Sequence, residues 1–168
     1  LEQQGNYSAT KKCRSRRETN VKKIVYIDMD GVLVDFVSGM NRTSEADRRN
    51  FLHEEDNIPG IFSLMLPIPD AVESYKKVAR IYDVFILSTA PWENPTAWAD
   101  KVIWVQKYLG EGAYKRLILT HRKDLNRGDY LIDDRDANGA KNFRGQHIWF
   151  GSERFPNWRA VLRYLGLE

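Results

Sequence analysis

Five short apolar runs punctuate the chain: IVYID (24–28), VFILST (84–89), RLILT (116–120), YLIDD (130–134) and HIWF (147–150). They are nearly continuous rather than alternating, and rich in β-branched and aromatic side chains, the pattern of strands covered on both faces. Between most of them, apolar residues recur at helical spacing. The strongest helix spans 95–109, where Asn94 can cap the start, Pro95 suits the first turn and Gly110 follows the end. Its Trp98, Val102, Val105 and Leu109 are expected to form the buried face. A second helix begins after PIP, with Asp70 and Glu73 at capping-box spacing and Val72, Tyr75, Ala79 and Tyr82 as its stripe. A last helix follows Pro156–Asn157 and carries Trp158, Val161, Leu162 and Leu165. Alternating strands and helices predict an α/β fold: a Rossmann-like, mostly parallel five-stranded sheet with helices on both faces.

Residues 37–68 break this rhythm, being too long for a simple connection. The polar NRTSEADRRNFLHEEDN (41–57) reads as a weakly amphipathic helix, and IPGIFSLMLPIP returns the chain to the sheet. A small helical cap is therefore expected at about 37–68, inserted after the first strand over the carboxyl edge of the sheet.

At 168 residues the chain suits one domain with a real core. The net charge of +3 is unevenly spread. Residues 1–23 hold seven Lys or Arg and two Glu, a balance of +5, which leaves −2 for the remaining 145. The basic character thus belongs to residues 1–22, expected to be a polar tail, disordered or derived from expression, and the domain proper to 23–168. No apolar run approaches a membrane span, and the start shows no secretory pattern. Cys13 stands alone, so no intramolecular disulfide can form, which suits a reducing cytoplasm.

The chemistry sits at the strand ends. In open parallel sheets, ligands bind beyond the carboxyl ends of the strands. Those ends supply Asp28 and Asp30, then Ser88 and Thr89, then Thr120 with Lys123, then Asp133 and Asp134. Acids this close raise each other's pKa unless a cation or proton intervenes. Carboxylates can hold a hard divalent cation such as Mg²⁺, which commonly binds together with substrate phosphate, and a hydroxyl and a lysine suit phosphate oxygens. A single Asp at a strand end is most often a turn residue, and DG is ordinary turn chemistry; recurrence of the acids at 133–134 argues against that explanation. For Lys123, a solvated loop lysine and replacement by Arg122 both stay open. His53, His121 and His147 show no ligand spacing and are assigned no role.

DMDGV after a hydrophobic strand, a strand ending in Thr89, then Lys123, then DD after LI resemble in order the four motifs of the haloacid dehalogenase phosphatases. The stretches DMDGVLVDF, WVQKYLG, LILT with HRK, LIDDRD and NWRAVL are similar to the 5′(3′)-deoxyribonucleotidases from about residue 23 to the end. The resemblance implies that Asp28 is the nucleophile that forms an aspartyl-phosphate and Asp30 the general acid and base, its backbone carbonyl also reaching the metal. It implies that Gly31 permits a sharp turn beneath the phosphate, that Thr89 and Lys123 bind the phosphoryl group, and that Asp134, with Asp133 beside or behind it, completes a Mg²⁺ site with Asp28. Phe36 and Phe62 match segments that hold the base, although a Phe in an apolar segment is equally well a core residue; Trp92 is a further candidate for the mouth. Two features depart from the family pattern: Ala90 stands where a second hydroxyl is common, and the cap is shorter and more charged.

The expected substrate is accordingly a small phosphomonoester, a deoxyribonucleoside 5′- or 3′-monophosphate. Sugar phosphates or other small phosphometabolites are the enzymatic alternative, with a phosphorylated nucleic-acid end also open to a small cap. A nucleic-acid-binding protein using the basic tail is the non-enzymatic one, disfavoured because a scaffold has no reason to keep the acids and the lysine together. No membrane partner is expected, and a homodimer is left open.

Overall fold

The fold is described from a computed structural model, which describes residues 21–168; the basic tail expected at 1–22 lies almost wholly outside the described residues, as does Cys13. Five parallel strands, β1 (Ile24–Ile27), β4 (Asp83–Ser88), β5 (Leu117–Leu119), β6 (Tyr130–Asp133) and β7 (Gln146–Trp149), form one sheet in the order β5-β4-β1-β6-β7. They coincide with the five apolar runs. The central strand β1 pairs on both sides, Ile27 lying opposite Ile86 and Ile132. Alternation along it sends Val25 and Ile27 into the larger core cluster and Tyr26 into a smaller one with Leu87 and Leu131.

The helices α4 (Ala71–Ile81), α5 (Thr96–Tyr108) and α6 (Trp158–Tyr164) all contribute to the larger cluster. Cover for the smaller cluster comes from a 3₁₀ turn at Ala140–Asn142 and from Phe143, whose ring stands edge-on to Tyr26. Helical cover on that face is thus reduced to a short turn, which the sequence pattern did not distinguish from a longer helix. No helix among the described residues is long and apolar enough to cross a membrane.

Helix α6 follows the expected pattern. Asn157 accepts from the Ala160 N–H, and Trp158, Val161, Leu162 and Leu165 are all buried. Trp158 also donates its indole N–H to the Val32 carbonyl at 2.9 Å, tying α6 to the loop after β1. Trp158→Phe keeps most of the apolar contact but leaves that buried carbonyl unpaired, so a loss of about 1–3 kcal/mol is expected in urea unfolding.

The starts of the other two helices differ from expectation. Asp70 adopts φ 65° and makes no side-chain cap bond; its backbone carbonyl accepts from Ser74, while Glu73 pairs with Lys76. The left-handed backbone turns the side chain away from the first helical N–H groups, so the capping box does not form. The buried stripe of α4 is Ala71, Ser74, Tyr75 and Val78, with Val72 and Ala79 half-buried. Asn94 does not cap α5 with its side chain; its amide donates to the Asp56 and Ile58 carbonyls and so pins the cap. The inward face of α5 is Ala97, Lys101, Trp104 and Val105, while Trp98 and Val102 remain 36% and 42% exposed. The shift arises because α5 packs against the cap as well as the sheet: Trp104 donates to the Met65 carbonyl at 3.1 Å.

The cap segment is enclosed by a two-stranded antiparallel ribbon, β2 (Val34–Asp35) with β3 (Leu66–Pro67). Within it lie α1 (Phe36–Met40), α2 (Glu45–Asn50), a 3₁₀ turn at Glu55–Asn57 and α3 (Ile61–Leu64). The single helix expected over 41–57 is therefore one short helix and a turn. Ser44 caps α2 by accepting from Asp47, but α2 buries no residue, and His53 at φ 68° follows its end. With no apolar face to dock, the helix has no reason to continue.

Candidate active site

Asp28 lies just past β1, and its N–H donates to the Ile132 carbonyl of β6 at 2.9 Å. The chain then folds back sharply: the Met29 carbonyl accepts from both Leu33 and Val34. Gly31 makes this possible at φ 74°, and a Cβ there would run into the Asp134 carboxylate. The turn thereby brings the end of β1 close to the end of β6.

The two acids that follow β1 are compensated mainly by lysine. Lys123, only 3% exposed, places Nζ 2.6 Å from Asp133 Oδ2 and 3.0 Å from Asp28 Oδ2. Its backbone is held by a bond from its N–H to the Asn138 carbonyl. Burial alone would lower its pKa, but the two carboxylates outweigh burial and hold it above the usual lysine value. Lys123 is therefore not a solvated loop lysine, and Arg122 does not replace it; Arg122 makes an exposed pair with Asp124.

Asp133 is buried behind Asp134, accepting from Lys123 and from the Arg135 N–H. Burial, reinforced by the charge of Asp28, pushes its carboxyl up to about 6 against the pull of Lys123. Asp134 stands toward the open side, 3.7 Å from Arg135, and burial raises its pKa too. One carboxylate oxygen from each of Asp28, Asp133 and Asp134 lies within 4.8 Å of the others. This all-oxygen set suits a hard cation such as Mg²⁺. A second observation agrees: Asp134 Oδ1 is buried with no hydrogen-bond partner. The side chain of Asp30 is not in this group, so any part it takes in metal binding falls to its backbone carbonyl.

Asp30 is instead held by a residue outside the expected set. Lys101 of α5, with no exposed surface, sets Nζ 2.6 Å from Asp30 Oδ2 and 3.2 Å from Ser88 Oγ. Ser88 thus faces inward, while Thr89 lines the cleft and donates its hydroxyl to the Thr120 carbonyl at 2.8 Å. Burial raises the Asp30 carboxyl, with Lys101 opposing and Asp28 adding to the rise.

A cleft of about 760 Å³ opens above Asp30, Gly31, Thr89 and Asp134. Phe36 and Phe62 form one wall, their rings edge to face at 6.2 Å. Phe62 is only 3% exposed, so it serves the core and the cleft wall at once. Trp92, 75% exposed, stands at the mouth beside the ring of His121. Asp30, Gly31, Phe36, Phe62, Thr89 and Asp134 thus line this cleft, while Asp28, Lys123 and Asp133 line a small cavity that shares Asp30 and Thr89 with it. Lys101, His121 and Arg135 were not foreseen. Arg135 had a signal in its place directly after the DD pair; Lys101, lying between Trp98 and Val102 of the more hydrophobic stripe, had none.

The family model described as 5′ nucleotidase, deoxy (pyrimidine), cytosolic type C protein matches residues 39–163. A protein of Vibrio phage KVP40, provisionally named 5′(3′)-deoxyribonucleotidase, is 51% identical over 154 residues, covering 92% of this chain and 91% of its own. The human mitochondrial 5′(3′)-deoxyribonucleotidase is 32% identical, with 82% of this chain and 68% of the relative covered. The human cytosolic type is 30% identical, with 82% and 78% covered. Among solved structures, a haloacid dehalogenase-like hydrolase from Xanthomonas campestris superposes with a TM-score of 0.54 at 13% identity, covering 86% of this chain and 96% of that one, a likeness of fold. Sequence relatives and fold agree with the acids and lysine gathered at the sheet edge: this chain belongs to the 5′(3′)-deoxyribonucleotidase family of phosphoric monoester hydrolases.

Proposed function

We propose that the protein is a Mg²⁺-dependent phosphomonoesterase that works through an aspartyl-phosphate on Asp28 and acts on deoxyribonucleoside 5′- or 3′-monophosphates. The observation that carries this reading is the meeting of Asp28, Lys123, Asp133 and Asp134 beneath a cleft with an aromatic wall. Asp28, Asp133, Asp134 and the Asp30 carbonyl would hold the metal. Bound there, Mg²⁺ supplies charge neutralisation and orients the phosphoryl group.

An Asp28 carboxylate oxygen attacks phosphorus, and the bond from phosphorus to the ester oxygen breaks. Asp30 gives its proton to the departing alkoxide. In the second half Asp30 takes a proton from water as that water attacks phosphorus, which frees phosphate and restores the Asp28 carboxylate. Lys123 balances the negative charge around the phosphoryl group, and the Thr89 hydroxyl is placed to turn from the Thr120 carbonyl to a phosphate oxygen. Phe36 and Phe62 offer faces against which a base can pack, worth about 1–3 kcal/mol. The named activity of the human and phage relatives supports the nucleotide as substrate.

The test is phosphate release from deoxyribo- and ribonucleoside monophosphates and from sugar phosphates, with Mg²⁺ and with chelator. Metal-dependent release confined to deoxyribonucleotides is expected. Equal release from sugar phosphates would keep the chemistry and discard the nucleotide reading.

A further inference from the structure

We infer that Lys101 is a positioning residue for the general acid: it holds the Asp30 carboxylate by one oxygen and locks it in register with the Phe62 wall of the cleft. The inference rests on the phosphomonoesterase reading above, and not on which phosphate ester is the substrate.

Lys101 has no exposed surface and does not line the cleft, so its role is exercised through another residue. Burying an ammonium is costly unless it is paired and hydrogen-bonded. Its partners are few and specific: Asp30 Oδ2 at 2.6 Å, Ser88 Oγ at 3.2 Å and the face of the Phe62 ring at 4.5 Å. They come from three places, the turn after β1, the end of β4 and α3 of the cap. A structural ion pair needs no such convergence on a residue at the reaction centre.

The contact also distinguishes the two oxygens of Asp30. The ammonium donates to Oδ2, whereas Oδ1 is buried without a hydrogen-bond partner. Lys101 thus supplies the hydrogen bond that holds the carboxyl and limits its rotation.

In the first half-reaction a leaving group that needs no proton should be indifferent to this device, whereas the second half-reaction, in which Asp30 takes a proton from water, is common to all esters. The experiment therefore compares first-turnover leaving-group release by Lys101→Met and the wild type on two esters, the best alkyl phosphate of the substrate panel and p-nitrophenyl phosphate, whose phenolate departs unaided. For the alkyl phosphate the first-turnover rate is expected to fall about 10²-fold or more, the scale of general acid catalysis, and for p-nitrophenyl phosphate by less than about fivefold. Lys101→Gln, which keeps a donor for Asp30 without the charge, should lie between. An equal loss on both esters, or none on either, overturns the inference while leaving the phosphatase reading intact; a wild type inactive on both removes that reading and the inference with it. Should Lys101→Met fail to fold, the cycle is run in an Asp30→Asn background, where the site has lost its negative charge. There Lys101→Met should cost nothing further on either ester, and an additional loss overturns the inference.

Discussion

Asp28→Asn is expected to reduce phosphate release by about four orders of magnitude or more, the scale seen when a nucleophile is removed from a preorganised site. An amide cannot form the acyl phosphate, whereas the rest of the site is untouched by the change. The fold should survive. The Asn carbonyl can still accept from the Met29 N–H, as Asp28 Oδ1 does at 2.8 Å, and Lys123 keeps Asp133 as a counterion. One buried negative charge is removed from a crowded group, which relieves repulsion with Asp133 and Asp134. Thermal unfolding close to that of the wild type, with release lost on every ester, is the expected pair of results. Residual release within tenfold of wild type would exclude Asp28 as the nucleophile.

That prediction rests on residues legible in the sequence. Apolar runs locate strands because a strand covered on both faces must be apolar throughout. Once the strands are placed, the parallel topology collects whatever follows each of them at one edge, and Asp28, Asp30, Thr89, Lys123, Asp133 and Asp134 are gathered there. Lys101 was not legible for the converse reason. It lies mid-helix, and its neighbours Trp98 and Val102 offered a more hydrophobic stripe than the one buried. Only the docking of α5 on both sheet and cap fixes its rotation. The cap was legible as an interruption and only loosely as elements, because α2 buries nothing and its polar sequence carries only a weak period. Asp70 shows a different limit: capping-box spacing is set by residue type, but the bond depends on a backbone angle that the neighbouring turn imposes.

Lys123→Met is expected to separate stability from chemistry. Nζ lies within 3.0 Å of two carboxylates that are themselves almost wholly buried. Its removal leaves Asp28 and Asp133 uncompensated, and breaking a buried pair in this way costs about 3–5 kcal/mol. For a chain of this size that corresponds to a Tm lower by about 6–20 °C. Activity should be lost as well, since the same ammonium balances charge on the phosphoryl group. A second substitution distinguishes the two roles. Asp133→Asn added to Lys123→Met removes the acid that sits 2.6 Å from the ammonium and leaves Asp28 intact. The double variant should regain much of the lost Tm, because a neutral amide no longer needs a counterion. It should regain no activity, because no cation has been returned to the phosphoryl group and Asp133, one of the acids that would hold Mg²⁺, has been neutralised as well. Recovery of both together would mean that Lys123 only neutralises the acids and that phosphate charge is balanced elsewhere, with Arg135, which lines the cleft, as the candidate.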